Sequence, residues 1–264
     1  MKKILTLFLA LTVLAGCSKD ESPTPAPAEP VGGAISLRSE GALENEPAAK
    51  AATRRETAAE QALTYTFEAW TRGANPRCVL HKTAAGTLTE AAIEIALVPG
   101  SYDFLFWADY GTGAYETGDL RQVAAKKYTP AAASERDAFA CVLEQVAWNG
   151  GNGVGATLTR PLAKLNMQNT TPFTAGGKQV SVTYRNAPTQ YDVLTGTSSA
   201  PAAEITLSFP TTTAGSAAVG EDFIFVPAEG KSVGLTITVG DVEKELDALP
   251  LKPNYQTNVT ATFE

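Results

Sequence analysis

Cysteine is the most reactive residue type in this chain, and Cys17 stands where that reactivity has a use. It closes the run Leu14-Ala15-Gly16-Cys17. Lys2 and Lys3 make a positive start, and residues 4–14 form an apolar stretch of roughly a dozen residues, the length of a signal-peptide core. That is well short of the ~20 residues a membrane-spanning helix requires. Small side chains at Ala15 and Gly16 let a peptidase reach the backbone, and a cysteine thiolate is the nucleophile that takes up a lipid. The pattern predicts cleavage between Gly16 and Cys17, a lipid on Cys17, and acyl chains as the link to the membrane. One chain binds only marginally, so multiple acylation is expected.

Cys78 and Cys141 remain, an even pair in an oxidising compartment. A disulfide between them would close a loop of some sixty residues, worth about 4 kcal/mol in the chain-entropy account. Two separate buried thiols are the alternative.

Other reactive residue types give little. His81 is the only histidine, which rules out two-histidine zinc sites and leaves no neighbour in sequence to orient it as a base. Neither a metal nor a cofactor is expected. Asp103 and Asp109 flank one strand-like run, with Glu116 and Asp119 beyond; paired carboxylates can hydrolyse glycosides, but at strand ends they are usually solvated. Trp70, Trp107 and Trp148 could stack on sugar rings, although packing in a core explains them better. The glycines of 151–156 lack the following helix that a dinucleotide loop needs, and a surface turn is expected there.

Arg54 and Arg55 form a dibasic pair in an Ala/Glu-rich segment, residues 41–61, read as a flexible loop. Such a pair is a good protease target. Cutting there would release the lipid, the tether and a candidate first strand at residues 34–38 together. An open sheet edge would be left, and open edges accept strands from other chains.

The elements that must position these residues are almost all strands. Leu63, Tyr65, Phe67 and Ala69 alternate with Thr64, Thr66, Glu68 and Trp70, which predicts a half-buried strand. Ile93, Ile95 and Leu97 repeat the pattern before a Pro99-Gly100 turn, and residues 102–108 are apolar on both faces, like a central strand. Later runs around Val180, Ile205, Phe223, Val233, Val242 and Thr257 bring the count to roughly a dozen. One exception is Ser134-Glu135-Arg136-Asp137, which resembles a capping box and predicts a short helix at about 131–139. Pro161 breaks or bulges the run 157–165.

The organisation read from these signals is a signal peptide over 1–16, a Pro-rich tether over 17–32, and β-sandwich domains over 33–156 and 157–264. Removal of residues 1–16 leaves 19 basic residues against 28 acidic, a net charge of −9. With no basic patch, nucleic acid is not an expected partner.

Several segments together resemble a family. They are Pro99-Gly100-Ser101-Tyr102-Asp103-Phe104-Leu105-Phe106-Trp107-Ala108-Asp109-Tyr110, then Asp137-Ala138-Phe139, then Leu158-Thr159-Arg160-Pro161-Leu162-Ala163-Lys164-Leu165, and the closing stretch from Leu251 to Phe263. They are similar to the Bacteroidetes fimbrillin-like surface lipoproteins, whose acidic residues after the lipidated cysteine direct them to the outer face of the outer membrane, as Ser18-Lys19-Asp20-Glu21 does in outline. The resemblance implies an all-β chain of two tandem transthyretin-like sandwiches. It also implies export as a lipoprotein, a cut after Arg54 or Arg55, loss of the strand at 34–38, and assembly with other fimbrial subunits by strand exchange involving residues 257–263. Arg54-Arg55-Glu56-Thr57 departs from the family's cleavage pattern. The expected function is therefore a non-enzymatic, adhesive or fimbria-like surface subunit. The alternative is a monomeric surface lipoprotein that binds a glycan or host protein through loops and exposed tryptophans.

Overall fold

The computed structural model describes residues 28–45, 61–126, 129, 135–151 and 153–264. Sixteen strands lie among them. In chain order they begin with β1 (Val31–Ser39), β2 (Ala62–Thr71), β3 (Cys78–Thr87), β4 (Ala91–Leu97) and β5 (Gly100–Asp109). The short β6 (Tyr115–Glu116) and β7 (Val123–Ala125) come next, then β8 (Ala138–Trp148) and β9 (Val154–Leu158). The remainder are β10 (Leu162–Asn169), β11 (Val180–Asp192), β12 (Thr197–Phe209), β13 (Ala218–Phe225), β14 (Gly234–Val239), β15 (Val242–Leu246) and β16 (Gln256–Ala261). The chain is all-β, as its period-two patterning predicts.

Four sheets result, ordered β4-β1-β9, β3-β2-β5-β8, β13-β10-β16 and β15-β14-β11-β7-β6, with β12 also on β11. The first two share one apolar core, which takes Ile35, Leu37, Ile93 and Ile95 from one sheet and Tyr65, Phe67, Phe104 and Phe106 from the other. The last two share a second, built around Met167, Phe173, Val182, Tyr184, Leu235, Ile237 and Phe263. Each sheet has one apolar face to hide, and pairing two such faces is the simplest way to hide both.

A third cluster joins the halves. Leu105 and Trp107, on the far face of β5, meet Leu162, Phe223 and Phe225 of β10 and β13, with Tyr115, Leu120 and Val123 between. This explains why residues 102–108 are apolar on both faces: one face serves the first core and the other serves the junction. The same covering changes β2, where a half-buried strand was expected. Tyr65 to Ala69 are buried without a break, because the segment around Leu120 lies over Glu68 and donates its backbone N–H to that carboxylate at 3.1 Å.

The helix expected at about 131–139 is not there in residues 135–139. A single 3₁₀ turn holds Glu135 and Arg136, and β8 begins at Ala138, while residues 131–134 lie outside the described residues. Ala138 and Phe139 pair with Asp109 and Ala108 of β5, and Phe139 enters the first core. Tertiary pairing outweighs the capping signal. The change between halves falls at Arg160-Pro161, between β9 and β10, and β7 pairs across it with β11.

Candidate functional site

β1 is the element around which a function can be built. It runs between β4, to which it pairs antiparallel from Val31↔Leu97 to Leu37↔Ala91, and β9, to which it pairs parallel from Ile35↔Val154 to Ser39↔Leu158. It is therefore the middle strand of its sheet. Its removal would leave a slot with two facing edges, where the sequence suggested one open edge.

The strand's alternation fits the slot. Ile35, Leu37 and Ser39 point inward and are buried, while Ser36 and Arg38 face out, Arg38 donating to the Thr157 hydroxyl at 2.8 Å. At the inner end the hydroxyls of Ser39 and Tyr65 lie 3.1 Å apart. Tyr65 spends its proton on the Thr87 carbonyl at 2.7 Å, so Ser39 is the donor to Tyr65. Burial pushes the Tyr65 phenol above its ordinary pKa, against the pull of the Ser39 bond.

At the outer end β1 is pressed against a glycine loop. A Cβ placed on Gly33 would fall 2.0 Å from the Gly151 carbonyl oxygen and 2.6 Å from the Trp148 ring. Gly151 donates its N–H to the Gly32 carbonyl at 3.1 Å, and the Trp148 indole donates to the Val31 carbonyl at 3.2 Å. The glycines that superficially suggested a nucleotide loop thus receive the start of β1. Gly150 and Gly151 hold φ near +88° and +95°, which L side chains rarely adopt.

Beyond β1 the chain crosses to the other half. Leu43 is buried, Glu44 donates its N–H to the Asn254 carbonyl at 2.9 Å, and the Asn45 side chain pairs with both backbone groups of Gln256 at 2.8 and 3.0 Å. Glu44 is held below the ordinary carboxylate pKa, chiefly by the Tyr255 hydroxyl and then by Lys252.

Beneath this crossing lies a buried polar cluster. Arg160 holds Asp137 through two hydrogen bonds, reaches the Asn254 side-chain oxygen at 2.5 Å and the Gly41 carbonyl at 3.0 Å, and lies against the rings of Phe139 and Phe223. Arg136 stands 3.8 Å from Asp222, whose carboxylate accepts from the Tyr184 hydroxyl at 2.8 Å. The Asp137, Arg160 and Asn254 motifs that carry the family resemblance converge here. Their role is to hold the halves together.

Other sequence-predicted site residues fare variously. Gly16, Cys17, Arg54 and Arg55 lie outside the described residues. Cys78 and Cys141 are free thiols, one exposed and one half-buried, so neither the possible disulfide nor its alternative of two buried thiols is present. They sit on β3 and β8, the opposite margins of a four-stranded sheet, so three strand spacings, about 14 Å, part their strands. A disulfide needs Cα atoms within about 7 Å. Burial raises both thiol pKa values, and neither is an activated nucleophile.

Asp103 lies within β5 and Asp109 ends it, about 20 Å apart along the strand, beyond the ~5–10 Å of a glycosidase pair. Asp109 accepts from the Trp107 indole at 2.8 Å and the Gly111 N–H at 2.7 Å; burial nonetheless raises its pKa. His81 does have a carboxylate, Glu68, directly across from it on β2, 2.9 Å from Nδ1. Glu68 is buried and also accepts from the Trp70 indole at 2.7 Å. Among the described residues no group of three or more His, Cys, Asp or Glu could hold a metal ion.

The tryptophans are not a sugar platform. Trp107 and Trp148 are buried, and the Arg121 guanidinium covers the partly exposed Trp70 ring at 5.1 Å. The terminal strand is committed as well. β16 pairs with β10 in parallel, Phe263 is buried in the second core, and Glu264 accepts from the Thr174 N–H at 3.1 Å and the Lys178 ammonium at 3.2 Å. Gly33 and Trp148, which shape the slot, carry no mark in sequence beyond the Gly32-Gly33 pair and an aromatic at a strand end.

Comparisons with known proteins bear on the fold and on the N-terminal segment. The model of the Family of unknown function (DUF6562) matches residues 29–263, and that of the prokaryotic membrane lipoprotein lipid attachment site matches residues 1–18. No curated protein matches. Among solved structures the chain is similar to a candidate adhesin of Bacteroides thetaiotaomicron, 13% identical, covering 85% of this chain and 82% of that one at a TM-score of 0.51. It is similar also to a candidate polysaccharide-binding protein of the same organism, 11% identical over 87% and 90% of the two chains at a TM-score of 0.54. A candidate adhesin of Bacteroides ovatus is 10% identical over 88% and 87%, at a TM-score of 0.51. At these identities the likeness is one of fold.

Proposed function

The chain belongs to the Family of unknown function DUF6562, and from that footing we propose that it is a non-enzymatic, adhesive lipoprotein of the bacterial surface, able to join other subunits by strand exchange at the β1 slot. In this reading Cys17 carries the lipid after cleavage at Gly16, the Pro-rich residues before β1 hold the fold off the outer membrane, and the tandem transthyretin-like sandwiches, expected at 33–156 and 157–264, begin with β1 at Val31 and meet after β9, at Arg160-Pro161. A cut after Arg54 or Arg55 frees the segment that includes β1.

One observation carries the proposal. β1 is a central strand with few covalent obligations: its inward side chains plug a continuous core, yet it connects onward only through the segment that holds Arg54 and Arg55. Solved folds of this kind described as adhesins support the surface role. The test is treatment of the purified protein with an arginine-specific protease, followed by native and SDS gels. Cleavage at Arg54 or Arg55 with an SDS-resistant ladder is the expected result; cut protein that stays monomeric removes strand exchange.

A second reading, a monomeric binder of glycan, draws on the fold shared with a candidate polysaccharide-binding protein. Its site would move from the tryptophans to a groove of about 570 Å³ where Asn186, Ser198, Ser199 and Lys231 stand among Pro188 and Pro227. Glycan-array binding lost on Lys231→Ala would favour it.

A further inference from the structure

We propose that the β1 slot is selective, admitting an extended segment of another protein only if it carries glycine at the place of Gly33, aliphatic side chains two and four residues on, and a small hydroxyl six residues on. The inference rests on the strand-exchange reading and says what the exchanged strand must be. It also excludes this chain's own residues 257–263 as the occupant.

The glycine requirement comes from two walls. One is backbone: the Gly151 carbonyl oxygen would stand 2.0 Å from a Cβ at position 33, where no side-chain rotation can relieve the contact. The other is the Trp148 ring, 2.6 Å from the same point, which is almost wholly buried and packs on Phe104 with ring centroids 6.1 Å apart, contacts that do not depend on β1. Even alanine supplies the Cβ that meets both.

The remaining positions follow from what β1 places there. Ile35 and Leu37 are buried in the first core, and Ser39 donates to a tyrosine hydroxyl that a carbon side chain would leave without that partner. Register is fixed by the same device. A slip of one residue turns the apolar side chains outward. A slip of two brings a branched side chain onto the Gly151 oxygen. An alternating aliphatic strand without the glycine could otherwise settle in several registers.

Residues 257–263, Thr-Asn-Val-Thr-Ala-Thr-Phe, contain no glycine, so every register that fills the slot puts a Cβ on that oxygen. Gly32, one residue away, supplies the control. It faces outward, and a Cβ there would meet nothing nearer than the Ile95 carbonyl oxygen at 3.8 Å, an ordinary contact.

The experiment uses the full chain with a specific protease site inserted between residues 46 and 60. After cutting, it is incubated with excess synthetic peptide and read by native mass spectrometry. A peptide of residues 30–40 is expected to replace the cut segment; the same peptide with Gly33→Ala should bind at least tenfold more weakly, and a peptide of residues 255–264 should not enter. Equal entry of the Gly33→Ala peptide, or entry of the terminal peptide, overturns the proposal. If no peptide enters, strand exchange itself fails, and selectivity is decided on the uncut chain. There Gly33→Ala should lower the melting temperature and speed amide exchange in β1 but not in β16, while Gly32→Ala changes neither. Identical behaviour of the two variants would overturn it.

Discussion

Arg160 sets two nitrogens on the two carboxylate oxygens of Asp137, Nε 2.5 Å from Oδ1 and Nη2 2.7 Å from Oδ2, with both side chains shut away from water. A buried pair of this kind stabilises little relative to a well-packed apolar substitute, but it is costly to break, because the remaining partner keeps a buried charge without its bidentate counter-charge. Asp137→Ala or Arg160→Ala should each lower unfolding free energy by about 3–5 kcal/mol. Arg160→Lys keeps the charge and loses the fork, so it should fail to restore stability. Urea unfolding checks all three. An Arg160→Lys protein as stable as the wild type would show that charge alone suffices.

Trp148 and Trp70 separate a structural role from a binding one. Trp148→Ala opens a cavity in the first core beside Phe104 and should cost about 3–5 kcal/mol. Trp70→Ala removes a partly exposed ring and should cost clearly less. Thermal unfolding with near-ultraviolet circular dichroism gives the order; a reversed order would contradict the packing described.

The thiols provide a third check. Cys78 and Cys141 should react in denaturant without prior reduction, and Cys78→Ser should change stability by no more than about 0.5 kcal/mol, as for other surface substitutions. Loss of either thiol from the count in unreduced protein would refute the placement of the two strands at opposite margins.

Acid should loosen the crossing at Glu44. Its carboxyl titrates below the ordinary glutamate value because the Tyr255 hydroxyl and Lys252 favour the charged form. The folded chain therefore binds that proton less readily than the unfolded chain. The stabilisation is present above the ordinary value of about 4.3 and is lost as pH falls through the lowered one. Urea midpoints of wild type and Glu44→Gln should differ at pH 6 and draw together as the solution is acidified below the ordinary glutamate value of about 4.3. Parallel curves across that range would remove Glu44 from the tie.

The strands were readable because a sheet face imposes a period of two on its own residues, as in Ile93, Ile95 and Leu97. What was hidden depends on which strands become neighbours. Glu68 and His81 meet only because β2 and β3 pair in one register, and Cys78 and Cys141 are kept apart only by the order of four strands. The expected helix fails over residues 135–139 for the same reason: a local capping pattern says nothing about the open flank of β5 that claims Ala138 and Phe139. Arg160 and Asp137 stand in segments that carry the family resemblance, but nothing in the sequence says that they meet. Only the fold, which brings Phe139 and Phe223 against Arg160, makes them a pair.

The position of β1 also bears on force. If the chain is an anchored adhesin, as proposed, it is pulled from its ligand end while its lipid end is held, and with a lipid on Cys17 that load would enter this fold at Val31. A pull along the strand axis meets seven paired residues on the β4 side and five on the β9 side. Both ladders are then sheared lengthwise, their bonds sharing the load rather than opening one after another as in an unzipping hairpin. The strand that a single cut between it and β2 could release would, while uncut, be one of the hardest elements in the molecule to pull out.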